Sequence, residues 1–198
     1  GEFYHFTYTT YPKGTVLPTF TMNLSAQDKA ALAKANSLLL NCGTDPAGPR
    51  PGELTETRTL TVAPGHTMTV LDLKGSRAIT AIKAKVALAG TTNDRTQQDL
   101  LRNLLLRMTW DDEPSPSVFT PLGDFFGTSP GVNKYKSLPL GMTDEGFYCY
   151  WYMPFATRCL AELSNTSDAE HTVTFTIAHA PLKTSIAESG RFHARWHR

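Results

Sequence analysis

Cysteine is scarce in this chain: Cys42, Cys149 and Cys159 are the only three in 198 residues, and no two stand in a CxxC spacing. That spacing argues against a zinc knuckle or a thioredoxin-type redox site. An excess of one charge is missing too, with 19 Lys and Arg against 18 Asp and Glu, and no basic block before the closing R-F-H-A-R-W-H-R. Nucleic acid is therefore not an expected partner. No apolar run approaches the roughly 20 residues that a membrane helix requires, so no membrane span is expected. The opening Gly1-Glu2-Phe3 has no basic stretch followed by an apolar one, so it does not read as a signal peptide. A mature or excised chain has the same look, which leaves location undetermined, the reading leaning to an extracellular or periplasmic setting. There is no Walker loop, no dinucleotide glycine motif and no Ser-His-Asp order. The six histidines are scattered. His193 and His197 lie four apart in what reads as a strand, about 13 Å by strand rise, too far apart to share one ion. No metal and no cofactor are expected.

Hydrophobic residues make up 40% of the chain, which is long enough to bury a core. From Phe3 to Thr10, F-Y-H-F-T-Y-T-T is aromatic and β-branched and reads as a strand. Ser25 then offers an N-cap, Asp28 an acid at N3, and Ala31, Leu32, Ala35, Leu38 and Leu39 an apolar stripe, which predicts one amphipathic helix near residues 25–40. That helix should dock on a sheet or a neighbouring subunit. Residues 41–53 form a Pro- and Gly-rich loop. Beyond it come T-R-T-L-T-V-A, T-M-T-V-L-D-L and A-I-T-A-I-K-A-K-V-A-L, separated by Pro64-Gly65 and Lys74-Gly75, which read as consecutive antiparallel strands. The polar stretch 91–99 predicts a helical turn and L-L-R-N-L-L-L-R-M-T-W a long strand ending at Trp110. Four more strands are expected at 147–153, 158–163, 172–178 and 192–196. Eight or nine strands with one helix make an all-β, antiparallel β-sandwich. Cys149 and Cys159 fall on segments that can be adjacent and disulfide-bonded in an oxidising compartment, though buried free thiols are the plainer reading. Asn23 and Asn165 match short glycosylation patterns.

Chemistry concentrates between Trp110 and Tyr135, in W-D-D-E-P-S-P-S-V-F-T-P-L-G-D-F-F-G-T-S-P-G-V-N-K-Y. Pro114, Pro116, Pro121 and Pro130 bar a regular helix, and the interspersed glycines permit turns. The carboxylates there, Asp111, Glu113 and Asp124, are the candidate catalytic groups, with self-capping of the backbone as the bland alternative. On extended backbone alternate side chains diverge, so at most Asp111 and Glu113 share a face. Sugar rings pack on aromatic faces while polar neighbours satisfy their hydroxyls, which makes Trp110, Asp112, Tyr135 and Trp151 the candidate substrate contacts. Phe125 and Phe126 are assigned to the core.

The run P-S-V-x-x-P-L-G-D-F-F-G at 116–127, with S-L-P-L-G-M at 137–142 and Y-M-P-F at 152–155, resembles glycoside hydrolase family 172. The opening F-Y-H-F-T-Y-T-T-Y-P-K-G-T and the closing F-H-A-R-W-H are similar to landmarks of the same family, in the same order. The resemblance implies a jelly roll, in a subunit that pairs two jelly rolls and packs into trimers or larger rings. It also implies retaining cleavage or transfer at a furanoside, chemistry that in general uses two carboxyl groups. The family's catalytic glutamates lie in motifs such as G-E-G-D and G-T-G-T-E-D-Y downstream of F-H-A-x-W, and neither motif occurs in this sequence. Residues 1–198 are thus expected to be a single jelly-roll-like sandwich belonging to a longer double jelly-roll chain.

Three functions follow as expectations. The first is a carbohydrate-active protein that supplies scaffold and one wall of a furanoside site. The second is a non-catalytic structural subunit that self-assembles into a ring, shell or fibre. The third is a carbohydrate-binding module. Carbohydrate and further copies of the chain are the expected partners.

Overall fold

The computed structural model describes residues 5–88, 94–128 and 131–197, and the chain divides into two units, Gly1–Asn36 and Ser37–Arg198. Phe3 and Tyr4 of the expected first strand, residues 91–93 of the expected helical turn, and Pro130 lie outside the described residues. His5–Thr10 is irregular rather than a strand and is exposed throughout. The apolar residues that suggested a strand there, Phe6 and Tyr8, are 87% and 83% exposed.

Helix α1 spans Ala26–Leu40. Its start follows from a reciprocal cap, in which the Asp28 amide donates to Ser25 Oγ at 3.1 Å and the Ser25 hydroxyl donates to Asp28 at 2.6 Å. At its end the Asn41 side-chain amide donates to the Ser37 carbonyl at 2.8 Å, and Gly43 takes a positive φ of 103°. None of its residues is buried. The positions of the expected stripe, Ala31, Leu32, Ala35, Leu38 and Leu39, are all exposed.

The strands are β1 (Leu54–Val62), β2 (Thr67–Lys74), β3 (Arg77–Val86), β4 (Leu104–Trp110), β5 (Val118–Pro121), β6 (Tyr135–Lys136), β7 (Leu140–Thr143), β8 (Gly146–Cys149), β9 (Met153–Phe155), β10 (Arg158–Asn165), β11 (His171–Pro181) and β12 (Ala194–Arg195). Two further helices complete the elements, α2 (Asp94–Asn103) preceding β4 in the chain and α3 (Leu122–Phe125) following β5. Among the described residues, one sheet runs β1-β11-β3-β8-β7-β6, with β9 also on β3, and the other runs β12-β5-β4-β10-β2. The chain crosses from sheet to sheet at β1, β2, β3 and β4 in turn, and again from β10 to β11, the order of a jelly roll. The protein is an antiparallel jelly-roll sandwich, with one parallel pair where β12 meets β5.

Period-two burial explains the layers. On β4 every second residue is buried, and Leu104, Leu106, Met108 and Trp110 all point into the core. Phe126, Phe155, Phe175, Ile79 and Ile82 meet them from the other elements. Trp110 stacks on Phe155 with centroids 6.3 Å apart and planes 11° apart. Cys149 and Cys159 are buried free thiols on different sheets, not adjacent strands. Burial pushes the Cys149 thiol up to about 12.

Three sequence boundaries need correction. Leu100–Asn103 belongs to α2 rather than to the strand leading to Trp110, because Leu100 and Leu101 continue a helical stripe that packs into the core. The expected strand 147–153 is two strands, β8 and β9, both paired with β3 and separated at Tyr150–Tyr152. The expected strand at 192–196 pairs only through Ala194 and Arg195.

Candidate functional site

The acidic run begins as a turn. Asp111 and Asp112 both take positive φ, 55° and 57°, and the Glu113 amide donates to the Trp110 carbonyl at 3.0 Å. This left-handed geometry, which Asp tolerates better than most residues, replaces the extended backbone anticipated from the sequence.

Each acid of the run has a structural partner. Asp111 Oδ1 accepts from the amides of Ala156 and Thr157, both at 2.7 Å, and Oδ2 accepts from Arg191 Nε at 2.9 Å and its terminal nitrogen at 2.6 Å. Burial alone would raise its pKa. The Thr157 amide, the Arg191 guanidinium and the amides of Ala156 and Arg158 outweigh burial and hold the carboxyl below the ordinary carboxylate range. Asp112 pairs with Arg158 at 2.8 Å, and Arg158 reaches on to Asp72 with a two-pronged bond at 2.7 and 2.9 Å. The hydrogen bond from Arg158 holds Asp72 low as well. Glu113 accepts from the Ser117 hydroxyl at 2.6 Å. The Asp111 carboxylate, with both oxygens accepting from amides or Arg191, clamps backbone.

What the clamp holds is the F-H-A-R-W segment. Besides the Arg191–Asp111 pair, the Trp110 indole donates to the Phe192 carbonyl at 2.8 Å. The Ala194 amide donates to the Ser117 carbonyl at 3.1 Å and the Trp196 amide to the Phe119 carbonyl at 3.0 Å. Arg195 donates to the Pro116 carbonyl at 2.9 Å. These bonds lay the segment along β5.

Between that segment, α3 and Trp151 lies a cleft of about 260 Å³. Its walls include Asp124, Phe125, Trp151, Phe192 and Trp196. Trp151 is 44% exposed and leans on Phe192, centroids 6.5 Å apart. The Asp124 side chain keeps 15% exposure and lies 3.5 Å from an Arg102 terminal nitrogen. That guanidinium carbon also stands 5.8 Å from the centre of the Trp196 ring. Asp124 is the one carboxylate among the described lining residues. The cleft thus combines ring faces, one acid and flanking cations, and its size suits a single sugar ring, below the roughly 300 Å³ at which pockets for larger ligands begin.

Of the residues singled out in the sequence, Asp124 and Trp151 are brought together. Trp110 is fully buried and exposes no ring face. Asp111 forms the clamp, Asp112 an exposed ion pair with Arg158, and Glu113 a bond with Ser117. Tyr135 is half-buried, donates its hydroxyl to the Phe126 carbonyl at 2.5 Å, and lines a different, larger groove. Burial raises its pKa. Phe125 and Phe126 are in the core. Sequence reasoning did not place Trp196, Phe192, Arg102 or Arg195 at a site; the F-H-A-R-W landmark was the available signal. Among the described residues no cluster of His, Cys, Asp and Glu could hold a metal ion, and no helix is long and apolar enough to cross a membrane.

Fold and cleft define a class first: a jelly-roll sandwich bearing a depression lined by aromatic rings and one acid. Residues 52–177, more than half of the chain, match the family model described as GH172 domain-like, and the chain belongs to that family. It is thereby a member of a carbohydrate-active, glycoside hydrolase-related group. No curated protein matches the chain.

Proposed function

We propose that the chain supplies the scaffold and one wall of a furanoside site, the wall being the cleft of Asp124, Trp151 and Trp196. The observation that carries this reading is the division of labour among the acids. Asp111 is filled by amides and Arg191, whereas Asp124 is the one carboxylate among the described residues lining a cleft with an exposed tryptophan. Retaining hydrolysis requires two carboxyl groups about 5–5.5 Å apart. A cleft with one acid is half of such a pair, and a second subunit or further sequence would provide the other half. Titration with neutral furanose oligosaccharides, followed by tryptophan fluorescence, tests it. Wild type should respond and Trp151→Ala should not; a Trp151→Ala variant that binds as wild type does would sink the reading. Binding by the isolated chain without turnover of an aryl furanoside would make it a binding module by itself.

A second reading, a subunit that self-assembles, is favoured by the N-terminal unit. Phe6, Tyr8, Val16, Phe20 and Met22 are all more than 70% exposed, apolar surface that association would cover. Sedimentation should then give a species larger than the 21.8 kDa chain, reduced to monomer by Phe6→Ser with Phe20→Ser.

A further inference from the structure

The outer face of the larger sheet carries a groove of about 900 Å³ that the Asp124 cleft does not use. Strand register builds it. One row across the sheet reads Lys136, Gly141, Tyr148, Lys83, Thr176, Thr57. The row beside it includes Lys85, Thr174 and Thr59. The alternate residues Ile82, Ala84, Phe147 and Phe175 point inward, so the lysines and threonines face out together.

The floor is rigid. Tyr148 and Tyr150 pack with Ala81 as a small cluster separate from the main core, ring centres 5.2 Å apart. Their hydroxyls are tied down, Tyr148 donating to the Ser137 carbonyl at 2.9 Å and Tyr150 to the Gly43 carbonyl at 2.8 Å. Threonine pairs continue the surface, with Thr57–Thr176 at 3.2 Å and Thr59–Thr174 at 2.9 Å.

Charge is the feature left unexplained by folding. Lys83, Lys85, Lys134 and Lys136 line the groove, against Asp144 and Glu145. Lys134 pairs with Asp144. Lys83, Lys85 and Lys136 have no carboxylate in ion-pair reach among the described residues. Lysine on an edge strand guards against aggregation, but β3 lies inside its sheet, between β11 and β8. There Lys83 and Lys85 are exposed side by side on one face.

We propose that this groove binds an acidic polysaccharide, a sugar polymer bearing repeated carboxylate or sulfate groups. Spaced lysines match repeated anions, and the threonine rows offer hydroxyl partners. Among the described residues no arginine lines the groove, and the described lining thus has no planar fork of the kind that reads a single phosphate or carboxylate. A nucleic acid or lipid surface is disfavoured on that ground and by the near-neutral chain.

Affinity electrophoresis of the chain through gels containing polygalacturonate, dextran sulfate or neutral dextran tests the proposal and separates carboxylate from sulfate. At least one anionic polymer should retard the protein and neutral dextran should not. Lys83→Ala with Lys85→Ala should weaken that retention about tenfold, the loss of two screened charge contacts, with thermal unfolding unchanged. Lys83→Arg with Lys85→Arg should restore it. Retention by neither anionic polymer, retention that the alanine pair does not reduce, or equal retention by single-stranded DNA or phosphatidylserine vesicles would overturn it. The alanine pair should still show the furanoside response of Trp151, so this proposal and the cleft reading fail separately.

Discussion

Trp110-Asp111 and Asp124 with Trp151 pair the same residue types, an acid beside a tryptophan, within one jelly roll, yet they are built for opposite ends. At the first, the indole is sealed in the core with its N–H spent on the Phe192 carbonyl, and the carboxylate is filled by amides and Arg191. At the second, the indole is nearly half exposed and the acid has one cation at a long 3.5 Å. Residue type therefore says little about role in this chain; saturation of the side chain's polar atoms says a great deal. A polar group with every partner in place stabilises the fold, and one with partners to spare is available to a ligand.

The comparison breaks if the first pair proves dispensable. Trp110→Ala should cost about 3–5 kcal/mol, the range for emptying a large aromatic from a core, read as a fall in the urea midpoint at unchanged slope. Asp111→Ala should cost about 2–4 kcal/mol, because it strands Arg191 and several amide donors. A drop of less than 1 kcal/mol would mean that the clamp is ornamental. The pH dependence sharpens this. The folded Asp111 carboxyl lies below its ordinary 3.8, so its contribution is complete above that value and disappears as pH falls toward the lower folded-state value. Urea unfolding from about pH 6 to pH 2 should therefore show wild type losing more stability than Asp111→Asn.

Effects on the other side should be smaller in stability and larger in binding. Trp151→Ala, at an exposed position, should shift stability by about 0.5 kcal/mol or less while abolishing the furanoside response. The smallest change tests the turn itself. Asp112→Gly suits the left-handed backbone but gives up an exposed ion pair of small value, so the net shift should stay within about 1 kcal/mol of zero, measured by thermal unfolding. A larger loss would assign Asp112 more than its bond to Arg158.

Much of this was legible in the sequence. Strict alternation with Pro-Gly and Lys-Gly turns located β1, β2 and β3, and the Ser25–Asp28 cap located the start of α1. Less legible was L-L-R-N-L-L-L, which fits helix and strand alike until tertiary packing puts Leu100 and Leu101 on α2. The Asp-Asp turn was hidden because its left-handed residues are neither Gly nor Asn. At the site, Asp124 and Trp151 could be named as types, but their meeting depends on where α3 and the β8–β9 break fall in space. Trp196 was missed because a two-residue strand leaves no periodic trace.

The parallel pairing of β12 with β5 has a kinetic side. The bonds that seat this segment span 80 and 82 residues, so the chain must close a very long loop before they contribute anything. The antiparallel body makes the same demand, since β1 meets β11 across 119 residues at Thr57 and Thr176. Sheets and cleft thus wait on closures of similar reach, and on refolding the circular dichroism signal and the response to sugar are expected to rise together.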